Sequence, residues 1–147
     1  MSNISNDGKR FEAKIARWLK QEGYYFQRFY DSRSIGGLSA ERPADYFVYK
    51  EPNLTYLELK STINSNIPFS HLTQLKHLKN TLKYGIKTWV LFDFNDRLVY
   101  AIKAPKLYDF VVNSSKKSLN LEDCKVLGLS LSSSNDLTYI LYIYIKK

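Results

Sequence analysis

The spacing of apolar side chains near the start of the chain predicts a helix. Apolar residues recur with the period of one helix face, at Phe11, Ile15, Trp18 and Leu19. A polar residue among positions 5–7 is the expected N-cap, and Gly23 follows the expected end. Glu12 lies about 100° around the helix from Phe11, so we expect its carboxylate at the border of the buried face, beside a cleft.

Aromatic and β-branched runs then predict three strands. Residues 24–30 form the first strand, and residues 31–44, which contain glycine and proline, form a loop. Residues 44–50 and 54–61 are the next two strands. The turn residues between them predict an antiparallel hairpin.

A second helix is expected between Pro68 and Gly85. Ser70 is its expected N-cap, and Gly85 its expected end. Leucines at helical spacing form its apolar stripe, at Leu72, Leu75, Leu78 and Leu82.

The rest of the chain predicts more strands around one further helix. Residues 88–94 and 98–103 flank turn residues and predict a second hairpin, residues 105–112 a short helix, and residues 137–145 a last strand. The serine-rich segments between these elements are expected to be loops. We therefore expect one α/β domain over residues 1–147, with a mixed central β-sheet flanked by helices.

Composition narrows the class of partner and the compartment. The chain has 22 Lys and Arg against 14 Asp and Glu, a net charge of +8, so polyanions such as nucleic acid attract it before any specific contact forms. Cys124 is the single cysteine, which excludes an intramolecular disulfide. No apolar run approaches the roughly 20 residues of a spanning helix. We expect no membrane partner and a cytoplasmic location, near the nucleoid or in the host cytoplasm of a phage.

Three residues of the predicted hairpin form a candidate catalytic group. With the turn centred on residues 51 and 52, Asp45 lies opposite Glu58, and Lys60 shares the face of Glu58. Two carboxylates with open water positions suit Mg²⁺ or Mn²⁺, and an adjacent ammonium can orient a water or stabilise charge on a phosphate. The pattern favours metal-assisted phosphodiester hydrolysis. Taken singly, each residue also fits an ordinary solvated or turn position.

The order of these residues resembles a known nuclease superfamily. Pro43-Ala44-Asp45 followed by Glu58-Leu59-Lys60, with Glu12 on a first helix and Gln74 on a second, is similar to the PD-(D/E)xK nucleases. Within them it most resembles the Holliday junction resolvases of archaea and the RecU type of Gram-positive bacteria and their phages. Gly8-Lys9-Arg10-Phe11-Glu12 resembles their opening helix motif, and Arg33-Ser34-Ile35-Gly36-Gly37 the loop before the catalytic aspartate. The resemblance covers about residues 8–80.

This resemblance implies a restriction-endonuclease-like fold and a role for each matching residue. Asp45 and Glu58 would bind Mg²⁺, or Mn²⁺, and Glu12 would complete the acidic site directly or through water. Lys60 would act on the nucleophile or the transition state. Gln74 would be a supporting residue, and Ser34 would lie in a loop that approaches DNA.

The resemblance also implies a four-way DNA junction as substrate and a homodimer that presents two sites to it. Basic residues flank the candidate site in sequence, and we expect phosphate contacts from many of them: Lys9, Arg10, Arg33, Arg42, Lys76, Lys79 and Lys83. The apolar strand expected at residues 137–145, with Tyr139, Tyr142 and Tyr144, is either the dimer surface or a buried central strand.

Two other functions remain open at this point. The chain could be a restriction-like or repair nuclease that acts on duplex, flap or end substrates. It could also be an inert DNA-binding module of the same fold. The carboxylates of the set Glu12, Asp45, Glu58 and Lys60 argue against the inert module, because they repel phosphate and benefit only an enzyme.

Overall fold

A computed structural model describes residues 6–29 and 43–143 of the chain. Within these ranges the main feature is a six-stranded mixed sheet in the order β1-β2-β3-β5-β6-β8. Its strands are β1 (Tyr25–Arg28), β2 (Tyr46–Lys50), β3 (Asn53–Ser61), β5 (Lys87–Asp93), β6 (Val99–Lys103) and β8 (Leu129–Leu131). Strands β3 and β5 pair in parallel and the other neighbours pair antiparallel. A separate ribbon pairs β4 (Asn66–Pro68) with β7 (Ser118–Asn120).

Helices cover both faces of the sheet. The helices are α1 (Asn6–Gln21), α2 (Leu75–Asn80), α3 (Ala104–Asn113), α4 (Leu121–Leu127) and α5 (Ser134–Thr138), and a π-helical segment follows at Tyr139–Ile143. One core cluster joins α1 and α5 to the sheet, and a second joins α2, α3 and α4 to the opposite face. Successive residues of β5 show the division, since Trp89 belongs to the first cluster and Val90 to the second.

The expected α/β class with a mixed central sheet flanked by helices is confirmed. The first helix is confirmed too, and its four stripe residues Phe11, Ile15, Trp18 and Leu19 are all buried. Gly23 follows it at φ 76°, in the left-handed region that ends helices and favours glycine. The hairpin of β2 and β3 has the predicted register, with Lys50 opposite Asn53. The second hairpin and the short helix after it are also confirmed.

The second helix was predicted too long. Pro68 belongs to β4, where it pairs with Ser118. Ser70 caps no helix because it is the middle residue of a short 3₁₀ turn, Phe69–His71. The α-helix is limited to Leu75–Asn80, and a 3₁₀ turn, Thr81–Tyr84, leads to Gly85 at φ 80°. Leu82 is 49% exposed because this tighter turn rotates it off the leucine stripe.

The strand predicted at residues 137–145 is wrong. Residues 134–143 are helical, and Leu137, Ile140 and Leu141 pack in the cluster that contains α1. A short apolar run is compatible with a buried strand or a buried helix, and periodicity does not separate the two. A capping box at Ser133 and Asp136 starts this helix, and that Ser-x-x-Asp spacing was the available signal. Residues 144–147 lie outside the described ranges, and with them Tyr144.

Four other elements were not predicted. The strands β4, β7 and β8 are each three residues long, too short for a periodic pattern. Helix α4 begins at another capping box, in which Asn120 Oδ1 accepts from the Asp123 N–H at 2.8 Å. Within the described residues, no helix is long and apolar enough to span a membrane.

Candidate active site

The β2–β3 hairpin carries both residues of the candidate acidic pair. Its register ends where Tyr46 pairs with Leu57, and Asp45 directly precedes β2. The Asp45 N–H donates to the Leu57 carbonyl at 3.1 Å, and the Leu59 N–H donates to Asp45 Oδ2 at 2.7 Å. The Asp45 carboxylate therefore lies against β3 at the peptide bond between Glu58 and Leu59.

Hydrogen bonding and burial hold Asp45 in one orientation. The backbone N–H of Leu59 donates to Asp45 Oδ2 at 2.7 Å, the short distance expected of a charge-assisted bond. Asp45 is 7% exposed and Glu58 is 4% exposed. Buried carboxylates are costly unless they are paired or coordinate a cation, so this pair marks a specialised site.

Lys60 and Gln74 adjoin Glu58. The three side chains line one small cavity of about 10 Å³, together with Leu72, Leu75, Leu78 and Val90. Gln74 precedes α2, which packs over this face of the sheet. Its Oε1 is buried and accepts no hydrogen bond from the described residues. A buried acceptor of this kind indicates a partner such as water or an ion.

Glu12 approaches from the helix on the other side of the sheet. Its Oε1 lies 3.5 Å from Arg28 Nη2, and its side chain is 20% exposed. Burial raises the pKa of Tyr46, the carboxylates of Glu12 and Asp45 raise it further, and the Arg28 guanidinium lowers it.

The donor set fits a hard divalent cation at Asp45 and Glu58. Two buried carboxylates on adjacent strands repel each other, and a cation bound between them would relieve that repulsion. Carboxylate oxygens are the ligands that Mg²⁺ and Mn²⁺ prefer, and Gln74 Oε1 adds an acceptor for a metal-bound water. The described residues contain no group of three or more His, Cys, Asp and Glu side chains arranged to hold a metal ion.

Comparisons with known proteins agree with this reading at the level of the fold. No protein-family model matches the sequence, and no characterised protein matches it. Among solved structures, the chain is similar to Hjc from Archaeoglobus fulgidus, described as a Holliday junction resolvase from an archaeal hyperthermophile. The TM-score is 0.61 at 16% identity, over 85% of this chain and 97% of that one.

The chain has the fold of this archaeal resolvase. At that identity the likeness establishes the architecture, which is restriction-endonuclease-like as expected. The resemblance that the sequence motifs predicted is therefore confirmed for the fold. The roles of individual residues stay predictions.

Five of the seven basic residues predicted to contact phosphate lie within the described ranges. Lys9 and Arg10 on α1, Lys76 on α2 and Lys83 are exposed, as phosphate contacts require. Lys83 lies over the ring of Tyr84, and Lys79 lies 3.5 Å from Asp109 and over the Tyr108 ring. Arg33, Ser34 and Arg42 lie outside the described residues.

Sequence reasoning missed two features of the site. Arg28 pairs with Glu12, and nothing local in the sequence indicated this, because the contact joins β1 to α1. His71, to which the sequence pattern gives no role, lines a polar groove that begins at Lys60. The signal for the groove is the run of amide and hydroxyl residues directly after the Glu58-Leu59-Lys60 motif.

Proposed function

We propose that this protein is a structure-selective endodeoxyribonuclease that resolves four-way DNA junctions by metal-dependent phosphodiester hydrolysis. The observation that supports it best is the burial of two carboxylates, Asp45 and Glu58, at one end of the β2–β3 hairpin, with Lys60 adjoining Glu58 in one small cavity. The fold is shared with a Holliday junction resolvase over most of both chains. The net charge of +8 suits a DNA substrate.

Each residue then has a defined task. Asp45 and Glu58 would hold Mg²⁺, or Mn²⁺, which when bound supplies Lewis-acid polarisation of the scissile phosphate and lowers the pKa of a water. The Leu59 N–H keeps Asp45 oriented. Lys60 directs its ammonium to the charge that grows on the phosphate, Gln74 orients a water, and Glu12 acts on the acidic site from its edge.

The test compares a labelled four-way junction with a linear duplex of the same sequence, in Mg²⁺ and in EDTA. We expect paired, metal-dependent nicks in the junction and little cleavage of the duplex, measured on denaturing gels. Equal cutting of both substrates would replace this proposal with the general restriction-like or repair nuclease. Binding without cutting would favour the inert module.

A homodimer is part of the proposal, because a junction presents two symmetric strands and a two-fold dimer presents two sites. The C-terminal segment was expected to be either the dimer surface or a buried central strand, and it is helical instead. Ile140 and Leu141 are buried in the chain's own core, whereas Tyr139 is 38% exposed. Sedimentation at micromolar concentration measures the assembly state, and a monomer that still makes paired cuts would contradict this mechanism.

A further inference from the structure

A polar groove begins at Lys60 and has no task in the chemistry described above. Its volume is about 360 Å³, within the range of roughly 300–1,000 Å³ typical of binding sites. The end of β3, the turn after it and β4 form the groove. Its lining includes Lys60, Thr62, Asn64, Asn66, Ile67 and His71.

The chemistry of the lining fits a nucleic-acid backbone. It offers an ammonium, hydroxyls, amides and an imidazole, and none of the described lining residues is acidic. The Asn64 N–H donates to Thr62 Oγ1 at 3.0 Å, which leaves the hydroxyl hydrogen of Thr62 to donate outward. Such a set of donors recognises phosphate and sugar oxygens without reading bases.

The wall of the groove is held by the second half of the chain. Ile67 of β4 pairs with Leu119 of β7, and both side chains are buried, at 3% and 0% exposed. The Phe69 N–H donates to the Lys117 carbonyl at 2.9 Å. This support comes from beyond residues 8–80, the part covered by the motif resemblance. The groove is therefore formed before a ligand binds.

We propose that this groove binds the backbone of the DNA strand that continues from the scissile phosphate, and that His71 and Asn64 are positioning residues for that strand. The inference rests on the proposed function, because Lys60 marks where the scissile phosphate lies. Contact with the flanking strand would fix the register of the cut relative to the junction centre.

The test combines a double variant of the protein with DNA substrates in which single phosphates are neutralised. The variant is His71→Ala with Asn64→Ala, both at exposed positions. The matched control is His77→Ala with Asn80→Ala, which removes the same two residue types from exposed positions of α2 that do not line the groove. Single neutral methylphosphonates replace each phosphate flanking the cut in turn. The readouts are kcat/KM in Mg²⁺ and junction Kd in EDTA.

At one or two adjacent phosphates, we expect neutralisation to lower kcat/KM and junction affinity roughly tenfold for the wild type and for the control. This is the effect of losing a hydrogen bond to a charged group. The groove variant should already lack that contact, so the same neutralisation should change it by less than about twofold. Equal losses in all three proteins at every position would overturn the groove proposal, even with cleavage intact. If the wild type cleaves no DNA but the coupling is present in Kd, the groove is supported and the nuclease proposal fails.

Discussion

Asp45 and Glu58 show how a common residue type becomes specialised by its surroundings. Alone, an aspartate before a strand or an acidic-x-basic triplet is ordinary. Both carboxylates are buried at one end of the β2–β3 hairpin, and the Leu59 N–H orients that of Asp45. At the scale of single residues, the proposed function depends on carboxylates that stay buried although burial of their charge is costly.

Asp45→Asn should abolish cleavage and leave junction binding unchanged or tighter. The amide oxygen can still accept from the Leu59 N–H, so the fold is retained, while a metal ligand and a charge that repels phosphate are lost. We expect a rate loss of roughly 10³-fold or more, measured under single-turnover conditions. Asp109→Asn is the control, an exposed carboxylate on α3, and should cleave normally. Full activity of Asp45→Asn would remove Asp45 from the mechanism.

Two buried acids make stability fall at alkaline pH. Burial raises the pKa of the Cys124 thiol from 9.0 to about 12. Burial, followed by the hydrogen bond to Asp96, raises the pKa of Tyr100 from 10.0 to about 12. Between about pH 9 and pH 12 the folded state keeps both protons while the unfolded chain loses them. The stabilisation that these two protonated groups give the folded state is therefore complete below about pH 9 and is lost as the pH rises towards 12.

Urea unfolding at about pH 8 and about pH 10.5 measures this effect. We expect the free energy of unfolding to fall by on the order of 2 kcal/mol from these two groups. Cys124→Ala, which cannot titrate, should lose less between the two pH values than the wild type. An identical pH dependence in both proteins would show that Cys124 does not contribute.

At the scale of elements, the C-terminal helical segment acts as a cover for α1. Glu22 accepts from Ser134 Oγ at 3.0 Å and from Thr138 Oγ1 at 2.8 Å, which ties the end of α1 to α5. Leu137 contributes the buried apolar contact and is 0% exposed. Hydrogen bonds set the position of this helix, and burial provides most of the stabilisation.

Leu137→Ala should therefore cost about 2–5 kcal/mol of stability, through lost apolar burial and the cavity it leaves. Val126→Ala is the matched control, since Val126 is 81% exposed and its truncation should change stability by no more than about 0.5 kcal/mol. Urea denaturation measures both. Equal, small effects would show that α5 is not docked on α1.

For the whole molecule, charge determines how the proposed DNA substrate would approach. A net charge of +8 attracts a polyanion from any direction, whereas individual exposed cations that contact phosphates orient it. Lys9, Arg10 and Lys76 are three exposed residues among those predicted to make such contacts.

If each of these three residues contacts one phosphate, junction affinity should fall roughly 40-fold between about 50 and about 200 mM salt. Lys9→Ala should reduce the slope of log affinity against log salt by about 0.9. Lys125→Ala is the control, because Lys125 lies on α4 and is held by Glu122 at 3.3 Å, and it should keep the wild-type slope. Fluorescence anisotropy with a labelled junction measures all three. An affinity that is flat across this range would exclude the electrostatic mechanism.

What the sequence determined by itself is local or strongly periodic. The stripe from Phe11 to Leu19 predicted α1, and the turn at residues 51–53 fixed the register of one hairpin. That register brings the start of β2 to residues 57–59 of β3, because strand pairing across a short turn leaves little choice of partner.

Only the tertiary structure decided the rest, because those features depend on partners distant in sequence. Pro68 lies in a strand and not in the predicted helix because it pairs with Ser118. Residues 139–143 are helical because they pack against α1. The groove beside Lys60 exists because β7 holds β4 from about 50 positions further along the chain. At these positions tertiary packing overrides the local preference for helix or strand. Burial against a distant element outweighs the few tenths of a kcal/mol per residue that separate the two conformations.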